Sequence, residues 1–184
     1  MKVFYTASFT GKEKYQKQYD WVRNAIKANK VELVSPEEGN YLNMLSEKEQ
    51  LAIVDLKKIH YEAIRRGIEW ADAVIIEISQ EDFQLGHEAT LAIQAQKYVL
   101  CLSVNENFSQ KIDNRFFKGA QYGELTIDEI VENFLKEAGK NLLSQRFNMF
   151  LSASQIQQLE AAAQKYGVNK SEYIRSLIEK DLVS

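Results

Sequence analysis

A single cysteine, Cys101, excludes an intrachain disulfide framework and suits a reducing compartment. It lies in the apolar run YVLCLSV, where a buried structural thiol is expected rather than a nucleophile. There is one proline, Pro36, and no low-complexity tract or block of like charge. No His/Cys cluster has metal-ligand spacing, so no metal is expected, and nothing in the pattern calls for a cofactor. The apolar runs fall short of the roughly 20 residues of a membrane span. The opening residues MKVFYTA do not make a signal peptide. A cytoplasmic protein without a membrane partner is the expectation. The formal charge of −3 argues against binding nucleic acid over the whole surface and leaves room for a local basic patch.

What is present is alternation. Lys2–Thr6 reads as a short strand, followed by a turn, ASFTGK, and a helix over about 13–29 with Tyr15, Tyr19, Val22 and Ile26 on one face. Val31–Ser35 reads as a second strand closed by Pro36, and residues 37–46 as a loop. Ser46 and Glu49 have capping-box spacing, which predicts one helix from there to about Trp70, carrying Leu51, Val54, Ile59, Ile64 and Ile68. Asp72–Ile78 is apolar at nearly every position, as in a strand covered on both faces. A helix over 86–96, a strand over 98–104, an irregular stretch over 105–119 and a helix from Thr126 to about Ala138 complete the series. Strand and helix in turn predict an α/β fold with a parallel, Rossmann- or flavodoxin-like sheet over residues 1–140.

Such sheets bind ligands beyond the carboxyl ends of their strands. Three segments therefore share one rim: Ala7–Lys12, Pro36–Ser46 and Ser79–Gly86. The third runs into SQEDFQLGHEATLA, where Asp82 and Glu88 are six residues apart at the mouth of a helix. Two carboxylates so placed suit chemistry at a sugar. Each residue also has a structural reading: Glu88 as a glutamate favoured near a helix N-terminus, Asp82 as a helix-start residue, Ser8 and Gly11 as an ordinary strand-to-helix turn, His60 and His87 as packing or solvated side chains.

Residues 2–138 resemble the nucleoside 2-deoxyribosyltransferase superfamily, and within it the 2′-deoxynucleoside 5′-monophosphate N-glycosidases. The resemblance rests on VFYTASFTG, WADAVIIEIS and DFQLGHEATLAIQAQKYVLCLS. It implies a retaining cleavage of an N-glycosidic bond in a nucleoside or nucleotide, with Glu88 as nucleophile and Asp82 contacting or protonating the base. It implies a phosphate-binding turn at Ser8, Thr10 and Gly11, with Lys12 assisting and the following helix N-terminus offering N–H groups. It also places Gly86 at the substrate and Asn114 near a position that reaches into a neighbouring subunit's site. Four positions depart from the family: Phe4 occupies the register of its first-strand tyrosine, with Tyr5 beside it; Ile64 stands where it has an aspartate; Thr10 replaces its arginine; and Gln84 replaces a glycine. Tyr5, Glu62 or His60 could take over the task of orienting the nucleophile.

After residues 139–144 the pattern changes. Gln145–Leu151 alternates, residues 152–166 read as a helix ended by Gly167, and Asn169 opens a helix over 170–182. Residues 145–184 resemble a ribbon-helix-helix module of the CopG/Arc type. That resemblance implies pairing with a second copy and DNA contact through Arg146, Asn148 and Phe150, with Lys170 and Ser171 near phosphate. About 40 residues of strand-helix-helix cannot bury a core alone and need a partner, either their own twin or the preceding domain; with the resemblance to a family that completes its site across a subunit interface, a homo-oligomer is expected. Two functions follow as expectations: an N-glycosidase or deoxyribosyltransferase, or a nucleotide-sensing DNA-binding regulator.

Overall fold

The computed structural model describes residues 1–140 and 149–182. The chain divides into two compact units, Met1–Leu142 and Leu143–Ser184.

The first unit is an α/β domain. Its five strands are β1 (Lys2–Ala7), β2 (Glu32–Val34), β3 (Ala73–Glu77), β4 (Tyr98–Ser103) and β5 (Phe117–Gln121), ordered β2-β1-β3-β4-β5. Every pairing is parallel; Phe4, for example, lies between Val34 and Val74. Successive side chains on a strand point to opposite faces, and both faces here are covered. Val3, Tyr5, Ile75 and Leu100 pack under α1 (Lys12–Ala28) and α5 (Ile127–Lys140). Phe4, Val74, Ile76 and Cys101 pack under α3 (Leu56–Trp70) and α4 (Phe83–Gln94). This double cover is why β3 reads as an unbroken apolar run. Cys101 is buried, and burial pushes its thiol up to about 12.

Two expectations are corrected. The single helix from Ser46 to Trp70 is two: α2 (Glu47–Ala52), with the Ser46–Glu49 capping box, and α3, whose N-cap Asp55 accepts from Lys57 N at 2.9 Å. A second capping side chain restarts the helix after Ile53, and Leu51 and Val54 are consequently exposed rather than core. The second correction concerns residues 105–119, where β5 goes unrecognised. It is an edge strand, FKGAQ, with Phe117 as its one buried residue, so it carries little apolar signal. A Cβ at Gly119 would overlap the backbone of Ser109, so the preceding turn (Phe108–Gln110) can lie directly against the strand. The loop after β2 also holds two short 3-10 turns, Pro36–Glu38 and Tyr41–Met44.

The second unit contains α6 (Ala153–Lys165) and α7 (Lys170–Leu182). Ser152 caps α6 through a box with Gln155, and Asn169 Oδ1 accepts from Glu172 N at 2.9 Å at the start of α7. The expected strand at 145–151 lies largely outside the described residues, and Met149–Leu151 is not regular. Among the described residues of this unit only Ala163 is buried, while Ile156, Leu177 and Ile178 are exposed. No described helix is long and apolar enough to cross a membrane.

Candidate active site

A cavity of about 530 Å³ opens at the carboxyl ends of β1 and β3, where the sheet order reverses direction. All three rim segments contribute to its lining: Ser8 and Lys12 from the first, Glu37 and Tyr41 from the second, Asp82 from the third. The α3 and α4 helices add His60, Gln84 and Glu88.

Glu88 is 2% exposed on the second turn of α4. Gln84, one turn earlier, donates from Nε2 to Glu88 Oε1 at 2.8 Å. The other carboxylate oxygen, Oε2, is buried without a hydrogen-bond partner. Burial raises the Glu88 carboxyl to about 7; Gln84 and the Thr6 hydroxyl oppose that rise, and the Asp82 charge adds to it. A buried carboxylate with one oxygen held and the other unpartnered, on a residue that lines a cavity, has the properties of a nucleophile awaiting an electrophilic carbon.

Asp82 does two things at once. It is the N-cap of α4, its Oδ1 accepting from Gln84 N at 2.9 Å, and its Oδ2 accepts from Ser8 Oγ at 2.9 Å. The structural reading of Asp82 as a helix-start residue and its place on the cavity wall are therefore both met. The helix begins at Phe83, three residues before the expected Gly86. Gly86 is exposed and does not line the cavity.

A chain of polar contacts backs the carboxylate. Gln84 Nε2 is 3.1 Å from His60 Nε2, and His60 Nδ1 is 3.0 Å from the Tyr41 hydroxyl. The Gln84 amide has two protons. One goes to Glu88 and the other to His60, so His60 Nε2 accepts and its own proton sits on Nδ1, directed at the Tyr41 oxygen. This leaves the Tyr41 proton for the cavity. Burial lowers the His60 pKa, which keeps the ring neutral and this tautomer consistent.

Tyr5 must be corrected. It is fully buried on the α1/α5 side of the sheet, and its hydroxyl donates to the Tyr19 carbonyl at 3.2 Å. Glu88 packs on the other side, reached by the even-numbered residues of β1. The one-residue offset from Phe4 decides this, because strand neighbours face opposite ways. Thr6, two residues after Phe4, is a β1 residue that lines the cavity with Glu88, as does Ala7 at the strand's end.

The expected phosphate turn is also different. Ser8, Thr10 and Lys12 line the cavity, but Lys12 Nζ is 2.8 Å from Glu37 Oε1. Gly11 is not part of the lining; a Cβ there would overlap the Tyr19 hydroxyl and the Gln80 side chain, so packing requires the glycine. Asn114 Oδ1 accepts from Phe116 N at 2.9 Å in the turn before β5, and Asn114 does not line the cavity.

No protein-family model matches the chain, and neither does any curated protein.

Four residues of this site escaped recognition in the sequence: Thr6, Glu37, Tyr41 and Gln84 as the hydrogen-bond partner of Glu88. Thr6 could have been found from strand alternation and Glu37 from its place just after Pro36 on the rim. The pairing of His60 with Gln84 joins two helices and has no local signature. Glu77 was missed as well. It is wholly buried on the α1/α5 side, accepting from the Tyr122 hydroxyl at 2.9 Å and from the Ser79 hydroxyl. Burial raises it to about 7, with those partners opposing.

In the second unit, Phe150 is fully exposed, Ser171 is exposed, and Lys170 Nζ pairs with Glu160 at 2.6 Å. Arg146 and Asn148 lie outside the described residues. Among the described residues of the chain, no group of three His, Cys, Asp or Glu side chains comes together as a metal site.

Proposed function

We propose that the α/β domain is an N-glycosidase or deoxyribosyltransferase that cleaves the N-glycosidic bond of a nucleoside or nucleotide through Glu88. The observation that carries this is the half-satisfied buried carboxylate, Oε1 held by Gln84 and Oε2 unpartnered, on a residue that lines a cavity large enough for such a ligand.

In this reading Glu88 Oε2 attacks C1′ of the sugar. The C1′–N bond breaks and its electron pair leaves with the base. The glycosyl ester on Glu88 is then opened by water, returning the carboxylate, or by the nitrogen of a second base, giving transfer. Gln84 keeps the carboxylate aimed and shares the charge that develops at Oε1. Asp82 already accepts two hydrogen bonds, so it suits holding a donor group of the base better than protonating it. Tyr41 is the hydroxyl whose proton remains for the ligand. No metal or organic cofactor is part of this chemistry. A cytoplasmic location fits a nucleoside-processing enzyme.

The test is free base released from a panel of nucleosides and nucleoside 5′-monophosphates by the wild type and by Glu88→Ala. Release by the first and not the second supports the reading; no turnover of any member sinks it.

A second reading concerns residues 143–184. The exposure of Ile156, Leu177 and Ile178 supports a unit that closes its core with another copy of itself. The ribbon-helix-helix resemblance adds DNA as the partner of that dimer, making the whole chain a nucleotide-sensing regulator. Salt-dependent retention of duplex DNA that weakens in Arg146→Ala tests it; no retention at low salt leaves assembly as the role of the unit.

A further inference from the structure

The side-chain hydroxyls of the turn after β1 are set to accept hydrogen bonds, not to donate them. Ser8 Oγ donates to Asp82 Oδ2 at 2.9 Å. A hydroxyl has one proton, so the contact of Ser8 Oγ with Thr10 Oγ1, also 2.9 Å, must be donated by Thr10. Both hydroxyl protons are thus turned inward toward the aspartate, and both hydroxyls present lone pairs. Two backbone N–H groups of the turn are used internally: Gly11 N donates to the Ser8 carbonyl at 3.2 Å and Lys12 N to the Phe9 carbonyl at 3.3 Å.

The one cation of the cavity lining is Lys12, and it is already matched. Its ammonium pairs with Glu37, whose side chain is only 5% exposed, and Gln16 Nε2 donates to the second oxygen of Glu37 at 3.1 Å. A phosphomonoester drawing Lys12 to itself would strip a buried carboxylate of its counter-ion and place a dianion beside it. Asp82 and Glu88 on the same wall add further negative charge. A free hydroxyl meets none of these penalties. It can donate to Glu37 or Thr10 and accept from Lys12.

Resting on the glycosidase reading above, we infer that the site takes nucleosides with a free 5′-hydroxyl and rejects their 5′-monophosphates, with Glu37 as the specificity-determining residue. This reverses the role that sequence resemblance implies for Ser8, Thr10, Gly11 and Lys12. The pair sets charge selection, while Glu88 and Gln84 set the chemistry.

The experiment compares kcat/KM for one nucleoside and its 5′-monophosphate in wild type, Glu37→Gln and Lys12→Met. The wild type should favour the nucleoside by about 100-fold or more, as juxtaposed like charges cost several kcal/mol. Glu37→Gln keeps the size but removes the charge that matches Lys12, and should lower that ratio at least about 10-fold. Lys12→Met should move the ratio the other way. A wild type that prefers the monophosphate, or a ratio unmoved by Glu37→Gln in folded protein, overturns the inference. If the wild type turns over neither compound, calorimetric binding of the two decides. Binding of the nucleoside alone retains the charge selection while the glycosidase reading fails; equal or tighter binding of the monophosphate, or binding of neither, overturns the selection too.

Discussion

Gln84 donates one amide proton to Glu88 Oε1 at 2.8 Å and sits 3.1 Å from His60 on its other side. One side chain thereby links the buried carboxylate on α4 to a histidine on α3. Phe4 and Ile64, on the same side of the sheet, carry no hydrogen-bonding group that could orient Glu88. Orientation of Glu88 falls instead to a residue on its own helix, braced from the neighbouring one.

Replacing Gln84 by leucine should therefore do more than slow the reaction. Gln84 lowers the Glu88 pKa, so its loss should move the acid limb of the pH–rate profile upward as kcat falls about 10- to 100-fold. His60→Ala should show the same direction and a smaller effect. A fall in rate with the acid limb unmoved would assign Gln84 to packing alone.

Activity should rise with pH through about 7, because the attacking group in the proposed reaction is the Glu88 carboxylate and burial raises its pKa to about 7. A profile of kcat/KM for the wild type checks this. A rate already level at pH 5 would contradict it.

Tyr5→Phe should leave catalysis intact. The tyrosine faces the α1/α5 core, and the change removes one hydrogen bond to the Tyr19 carbonyl, a loss of about 1 kcal/mol in stability. Thr6→Val, on the cavity side of the same strand, should raise the Glu88 pKa further and shift the acid limb. The pair of variants separates the two faces of the sheet.

Stability should vary with pH in a direction set by Glu77. Its folded pKa, about 7, lies above the ordinary carboxylate value of 4.5. The folded state therefore holds a proton that the unfolded chain releases. The associated stability is fully present below about 4.5 and is lost as pH rises through about 7, an effect on the order of 3 kcal/mol. Glu88 shifts in the same direction and adds to it. Denaturant melts at pH 5 and 8 should show this fall, and Glu77→Gln should remove about half of it, the rest being due to Glu88.

Much of the framework is legible in the residues. Parallel strands buried on both faces leave long apolar runs, and the rule that ligands gather at the carboxyl ends of such strands leads to the three rim segments that line the cavity. Glu88 and Asp82 follow from spacing on one helix. What escapes depends on contacts between distant elements. Nothing near Lys12 says that Glu37 neutralises it, and nothing near His60 says that Gln84 reaches it. Tyr5 was misplaced for a local reason: its neighbour Phe4 holds the inward register, and alternation sends Tyr5 to the other core. β5 escaped because an edge strand with one buried side chain needs little apolar sequence.

The most direct measurement of the central claim is base release by chromatography for wild type and Glu88→Gln, with circular dichroism confirming that both are folded. The account predicts free base from a nucleoside with the wild type and at least about 1000-fold less with the variant. Equal release by both proteins, or none by the wild type from any nucleoside or nucleotide, would contradict it.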